Sequence, residues 1–293
     1  MKGRVSGVFS MHDVKCEEID VMSQDGVASK ITVFVAAHAP HAPVLICMPA
    51  MGVAAGFYEP LAEPILQEGW NFVTADLRGN GLSALRVRRG VDFGYREMIT
   101  FDWPAVVDKV KELFRGAPVY FLGHSLGGQL SALYLAANPG AASGLILVAA
   151  PSVHWRAWDF PLNIGVLAGT QAACALARAL GYFPGRKIGF GGTEAKGVIC
   201  DWARQARTGR YEPAGSELGY ERLLREMEFP VLAFSFEGDF LSPEKAVGSL
   251  LAKMTRACTT HVNLSGDDLH HFRWVKSPAP VIEKMREWIV ALS

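Results

Sequence analysis

Gly123-His124-Ser125-Leu126-Gly127 sets one hydroxyl between two glycines, at the point where an apolar run ends. The run is 118-PVYFLG-123, and a helix-like pattern, 126-LGGQLSALYLAAN-138, follows directly. A strand that turns straight into a helix leaves no room for side chains beside the turn, so glycines flank it. The turn lifts the serine above the sheet and sets the free N–H groups of the helix start beside it. Gly-x-Ser-x-Gly between strand and helix is the sequence form of a nucleophilic serine. An alcohol is a weak nucleophile at neutral pH. The chemistry therefore needs a base within hydrogen-bond reach and an acid that orients the base. His124 adjoins the serine, but neighbouring side chains on such a turn diverge. It is read as packing or substrate-lining.

The elements that would hold these groups can be traced along the chain. Short apolar runs at 44-VLICM-48, 71-NFVTADLRG-79, 144-GLILVAA-150, 230-PVLAFSFEGD-239 and 258-CTTHVNL-264 read as strands. Helical spacing lies between them, as at 58–69, 103–114, 244–254 and 279–292. Asp102 is a candidate N-cap, with Pro104 in the first turn. This alternation predicts a parallel sheet wound by crossover helices. Cys16 to Val35 alternates around Ser23-Gln24-Asp25-Gly26 and predicts an antiparallel hairpin. From Pro151 to Leu224 the rhythm breaks into helical pieces with no clear strand. The expected organisation is a core of residues 1–150 and 226–293, with a helical lid of 151–225 inserted between them.

The chain has 293 residues, half of them apolar, with 29 basic and 29 acidic side chains. It is long enough for a sizeable core, and its charge balance gives no reason to expect nucleic acid or a membrane as partner. Cys16, Cys47, Cys174, Cys200 and Cys258 form no Cys-x-x-Cys pair and are expected to be free thiols in a reducing compartment. The first twenty residues or so hold no long apolar core and make a poor signal peptide. Thr170, Gln171 and Arg178 interrupt the apolar stretch 164–183, which reads as an amphipathic rather than a spanning helix. No metal-ligand spacing, phosphate loop or dinucleotide fingerprint is present, so neither metal nor cofactor is expected. A cytoplasmic monomer or homodimer acting on a small molecule is the expectation.

Gly-His-Ser-Leu-Gly-Gly, together with 75-ADLRGNGLS-83, resembles the α/β-hydrolase fold family, and the resemblance runs over nearly the whole chain. It implies a mostly parallel, doubly wound α/β sheet with the N-terminal antiparallel hairpin and the helical lid. The second motif is similar to that family's Asp-x-Arg-Gly-x-Gly-x-Ser loop. Gly79 and Gly81 permit positive φ there, while Asp76 and Arg78 can satisfy backbone groups or each other, so the loop is read as structural.

The family's chain order is serine, then acid, then histidine. The acid is expected at Asp239, where a late strand ends in Glu237-Gly238-Asp239. Glu237 is the competitor, and Ser242 is better placed than Asp239 to cap the next helix. His12, His38, His41 and His124 precede or adjoin the serine, His154 opens the insertion, and His261 sits within a strand. That leaves His270 and His271 in 264-LSGDDLHHFRWV-275; His271 is the expected base and His270 the alternative. Asp267 and Asp268 read as a solvated loop. The oxyanion donors implied are the N–H of Leu126 and that of Met51, the latter in Pro49-Ala50-Met51-Gly52-Val53, where relatives carry His-Gly-x.

The resemblance therefore implies a serine hydrolase cleaving an ester, thioester or related acyl bond of a small apolar or aromatic compound. An acyltransferase with the same three residues, and a non-catalytic binding protein on this fold, are the alternatives. Trp155, Trp158 and Trp202 of the insertion are expected to line the substrate site, alongside Phe160 and Tyr211, or to form the lid's own core. The segment 185–197 reads as a mobile loop at the pocket mouth, and 204-RQARTGR-210 as a solvated helix face.

Overall fold

Runs too short for helices and apolar at every position are stable as strands only if both faces of their sheet are covered. The computed structural model describes residues 16–36 and 41–292 and shows this arrangement. His12, His38 and residues 1–15 of the segment read as a poor signal peptide lie outside the described residues. The strands are β1 (Cys16–Met22), β2 (Ala28–Phe34), β3 (Val44–Met48), β4 (Asn71–Ala75), β5 (Val119–His124) and β6 (Gly144–Val148), then β7 (Tyr182–Phe183), β8 (Glu194–Ala195), β9 (Val231–Phe236) and β10 (Thr259–Leu264). Eight form one sheet in the order β1-β2-β4-β3-β5-β6-β9-β10. β1 and β2 make the antiparallel hairpin, β2 runs antiparallel to β4, and every other neighbouring pair in this sheet is parallel.

The period-two alternation of strands divides the core into two layers. Val44, Ile46 and Met48 of β3 pack with Val107, Val110 and Leu133 from the helices Trp103–Leu113 and Leu126–Ala137. Leu45 and Cys47 face the other way, onto Tyr58, Ile65 and Met285. A slip of one residue in register would exchange the two sets and bring each against the wrong helices.

The sheet order also decides where loops meet. β4 lies on one side of β3 and β5 on the other, so the winding reverses between β3 and β5. Met48 at the end of β3 is in register with Gly123 of β5. The segment Pro49–Val53 and the turn at Ser125 therefore leave the sheet side by side, at the crevice where open α/β sheets bind their ligands.

Several local expectations are corrected. Asp102 does not cap a helix. Helical turns at Tyr95–Glu97 and Met98–Asp102 run directly into Trp103–Leu113, and Asp102 itself has helical angles. Its carboxylate instead accepts hydrogen bonds from Arg78 Nη2 at 2.7 Å and Ser23 Oγ at 2.7 Å. Arg78 also reaches Asp25 at 2.5 Å and so ties the hairpin turn to this helix. Asp76 accepts the N–H groups of Ala55 at 2.7 Å and Leu82 at 2.8 Å. The motif loop is a structural anchor, and Gly81 (φ +45) lies where any side chain would strike the Asp76 carboxylate.

The chain between β6 and β9 holds the helices Leu162–Leu180, Lys196–Thr208 and Tyr220–Glu226. It also contains strand, against expectation: β7 pairs antiparallel with β8. Two residues per strand are too few for an alternation signal. The segment 185–197 opens with a helical turn, Gly185–Ile188, and ends in β8 and the start of the next helix, with irregular residues 189–193 between them, of which Gly189, Phe190 and Gly191 line the pocket. The free-thiol expectation fails for one pair. Cys174 and Cys200 form a disulfide across the first two of these helices, with Cα atoms 5.0 Å apart. Cys16, Cys47 and Cys258 are unpaired. A disulfide removes one of the grounds for the cytoplasmic expectation, the full set of free thiols. Among the described residues, no helix is long and apolar enough to cross a membrane.

Candidate active site

Ser125 has φ 51° and ψ −117°, a conformation L-residues avoid and one that surrounding structure must hold in place. Three backbone bonds do so. Its N–H donates to Val148 O at 3.0 Å, and its carbonyl accepts from Gly128 and Gln129 at 3.1 and 3.2 Å. The glycines permit the approach: a side chain at Gly123 would collide with Gly128, and one at Gly127 with the Met48 carbonyl. Leu126 follows as the first residue of the helix, where a backbone N–H has no intrahelical acceptor.

Asp239 and His271 meet. Asp239 Oδ2 lies 2.9 Å from His271 Nδ1, and both side chains are almost fully buried. Asp239 Oδ1 accepts the N–H groups of Leu241 at 2.9 Å and Ser242 at 3.2 Å. The carboxylate is thus aimed by three donors, and the imidazole is fixed with Nε2 as its free nitrogen. Glu237 is exposed at the strand end, and its N–H bonds to Leu264 O at 2.9 Å. His270 has no part in the pair. Ser242 does not cap the next helix; its hydroxyl is buried without a partner, and the helix Glu244–Leu251 begins after Pro243.

His124 is corrected from substrate-lining to support. It is 1% exposed and lies beneath the site rather than on its surface. The Tyr58 hydroxyl accepts the Ala50 N–H at 3.0 Å and lies 2.6 Å from His124 Nδ1. With that hydroxyl donating to Nδ1, the ring proton sits on Nε2. Burial, and the neighbouring His271, push the pKa of His124 well below its ordinary value, so the ring is neutral. Its centroid is 4.9 Å from that of His271.

Ser125, Leu126, Met51 and His271 all line one cavity of about 820 Å³. Trp158 and Trp202 line it too, but Trp155 does not: it packs edge-on against His154 and under Arg156. One side of the helix Leu162–Leu180 forms a wall, through Leu162, Val166, Gly169, Thr170, Ala173 and Leu176. Behind the Met51 loop, the backbone of Gly191 and Gly192 presses on Gly52 so closely that a side chain at Gly52 would strike it. Glu194 is buried next to this contact, 3.4 Å from the Asn80 amide. Burial pushes its carboxyl up to about 8, against the opposing hydrogen bonds of Asn80 and the Gly52 N–H.

A profile of the serine aminopeptidase S33 hydrolases matches residues 39–182. Solved structures share the fold over almost the entire chain. A thermophilic esterase from Thermogutta terrifontis, with malate bound, has 15% identity and a TM-score of 0.65, covering 94% of this chain and 99% of that one. The chain has the α/β-hydrolase fold. Est1E from Butyrivibrio proteoclasticus, with ferulic acid bound, is similar to it at 16% identity and a TM-score of 0.65, over 93% of this chain and 98% of that one. The thioesterase domain from the curacin biosynthetic pathway has 18% identity and a TM-score of 0.58, over 93% and 99%. No curated relative matches the sequence.

Sequence reasoning missed four contributors to the site. Tyr58 supports the Met51 loop from a helical turn 66 residues before His124, and no spacing rule reaches that far. Phe240 and Phe272 line the cavity, each directly after Asp239 or His271. Gln129 lines it as well, and its position was a usable signal, because residues four apart share a helix face.

Proposed function

We propose that the protein is a serine hydrolase that cleaves an ester or thioester of a bulky, uncharged, largely apolar acyl group through an acyl-enzyme on Ser125. The observation that carries this reading is the 2.9 Å contact of His271 Nδ1 with Asp239, inside a cavity that Ser125 also lines. His271 Nε2 takes the Ser125 proton as Oγ attacks the acyl carbonyl carbon. The N–H groups of Met51 and Leu126 receive the negative oxygen of the tetrahedral intermediate. Its collapse breaks the bond to the alcohol or thiol, which leaves with the proton from His271. Water, deprotonated by the same nitrogen, then releases the acid and restores Ser125. The esterase and thioesterase names among the structural neighbours support this bond class.

Among the described residues, the cavity lining contains no Asp, Glu, Lys or Arg, which favours an uncharged acyl group and disfavours a substrate held by a free amino terminus. Fluorophosphonate labelling followed by peptide mapping tests the mechanism, and a chain-length series of p-nitrophenyl esters tests the pocket. Labelling is expected at Ser125, with turnover rising from acetyl to medium-chain esters. Ser125→Ala is expected to lower kcat by on the order of 10⁶. Unlabelled, folded protein, or ester turnover that survives Ser125→Ala, would overturn the reading.

A further inference from the structure

The cavity wall is apolar almost throughout, and the hydroxyl of Thr170 and the indole of Trp158 are already engaged. Thr170 Oγ1 donates to Leu167 O at 3.0 Å and accepts from Gln171 at 3.2 Å. The Trp158 indole N–H donates to Phe240 O at 3.3 Å. Gln129 differs. It is 2% exposed, it lines the cavity, and its side-chain oxygen is buried without any hydrogen-bond partner. A buried amide oxygen with no partner is unfavourable, and turning the amide over would bring that oxygen to the cavity, where a bound donor satisfies it.

Gln129 stands one helical turn beyond Ser125, since its own N–H bonds to the Ser125 carbonyl at 3.2 Å. One turn is about 5.4 Å of axial rise. A group meeting this amide would therefore sit a few bonds along the acyl chain from the carbonyl under attack. Amide oxygen and nitrogen exchange places by rotation about one bond. A hydroxyl, which both donates and accepts, satisfies either orientation, whereas a ketone satisfies only one. A carboxylate is disfavoured because no basic side chain among the described residues lines the cavity.

We infer that Gln129 selects for hydroxyacyl substrates: esters or thioesters whose otherwise apolar acyl chain carries one hydroxyl close to the carbonyl. This rests on the hydrolase reading above and specifies its substrate.

The test compares ethyl octanoate with ethyl α-hydroxyoctanoate and ethyl β-hydroxyoctanoate by pH-stat, using wild type and Gln129→Leu. In wild type, kcat/KM for one hydroxy ester is expected to exceed that for ethyl octanoate by about tenfold or more, the worth of one to two neutral hydrogen bonds. In Gln129→Leu that ratio is expected to fall to near one. A wild-type ratio of one or below overturns the inference, and so does a ratio that Gln129→Leu leaves intact. The wild-type ratio decides alone if the variant does not fold. Hydrolysis of ethyl octanoate without hydroxyl preference sinks only this inference. Failure to hydrolyse all three esters, with Ser125 unlabelled, sinks the hydrolase reading and this with it.

Discussion

The Tyr58 hydroxyl sits 2.6 Å from His124 Nδ1 while it accepts the Ala50 N–H at 3.0 Å. This one oxygen joins the segment after β3 to the last residue of β5. His124 precedes Ser125 in the chain and its ring packs against that of His271, so three segments of the site meet around this buried pair. Tyr58→Phe keeps the ring and strands both partners. The expected result is a fall in kcat of about tenfold to a hundredfold with KM little changed, less than the roughly 10²–10³ lost with an oxyanion donor itself. Steady-state kinetics on a p-nitrophenyl ester would show it; an unaltered kcat would mean that the Met51 loop holds its shape unaided.

Asp239 and Glu237 are two residues apart, yet one is buried against His271 and the other is exposed. Asp239→Asn keeps the shape but presents the imidazole with an amide, and kcat is expected to fall by about 10⁴. Glu237→Gln is expected to change little, as is usual at an exposed site. Equal losses in the two variants would reverse the assignment. His271→Ala and His270→Ala are expected to divide in the same way.

Glu194 supplies a pH dependence of stability. Its carboxyl titrates at about 8 in the fold against an ordinary 4.5. The folded chain holds this proton where the unfolded chain has released it. Stability is therefore fully present below 4.5 and is lost as pH rises towards 8. Burial raises Asp102 and Asp201 in the same direction, so the comparison must be differential. Urea midpoints measured across this range are expected to decline less steeply in Glu194→Gln than in wild type. Parallel slopes would show that the carboxyl is ionised in the fold.

The Cys174–Cys200 bridge closes a loop with a sequence separation of 26. Removing such a bridge by a double Cys→Ala variant is expected to cost about 3 kcal/mol, read from denaturant unfolding. Thiol titration checks the pairing directly. Unfolded protein without reductant is expected to show the thiols of Cys16, Cys47 and Cys258 only, and reduction should add two more. Five thiols before reduction would exclude the bridge.

Arg78 is buried between Asp25 and Asp102. Arg78→Met leaves two carboxylates facing each other, and a loss of about 3–5 kcal/mol is expected, the cost of breaking a buried ion pair from one side. Denaturant unfolding would register it. A loss below about 1 kcal/mol would put the contact among ordinary surface pairs.

Local physics was legible in the sequence. The run Val44–Met48 is apolar at every position and Val231–Phe236 at all but Ser235, as a sheet buried on both faces requires. Gly123 and Gly127 mark a turn too tight for side chains, and a helix pattern follows them. The order of Ser125, Asp239 and the His270-His271 pair along the chain could also be read. These features depend on a residue and its near neighbours, so the sequence by itself determined them. Tertiary structure alone decided that His271 rather than His270 faces Asp239, that Tyr58 meets His124, and that Cys174 lies against Cys200. It also turned Trp158 and Trp202 into the cavity while leaving Trp155 outside. Each of these depends on how two distant segments pack, and spacing along a chain does not record the angle at which helices cross or the side of a loop that faces inward.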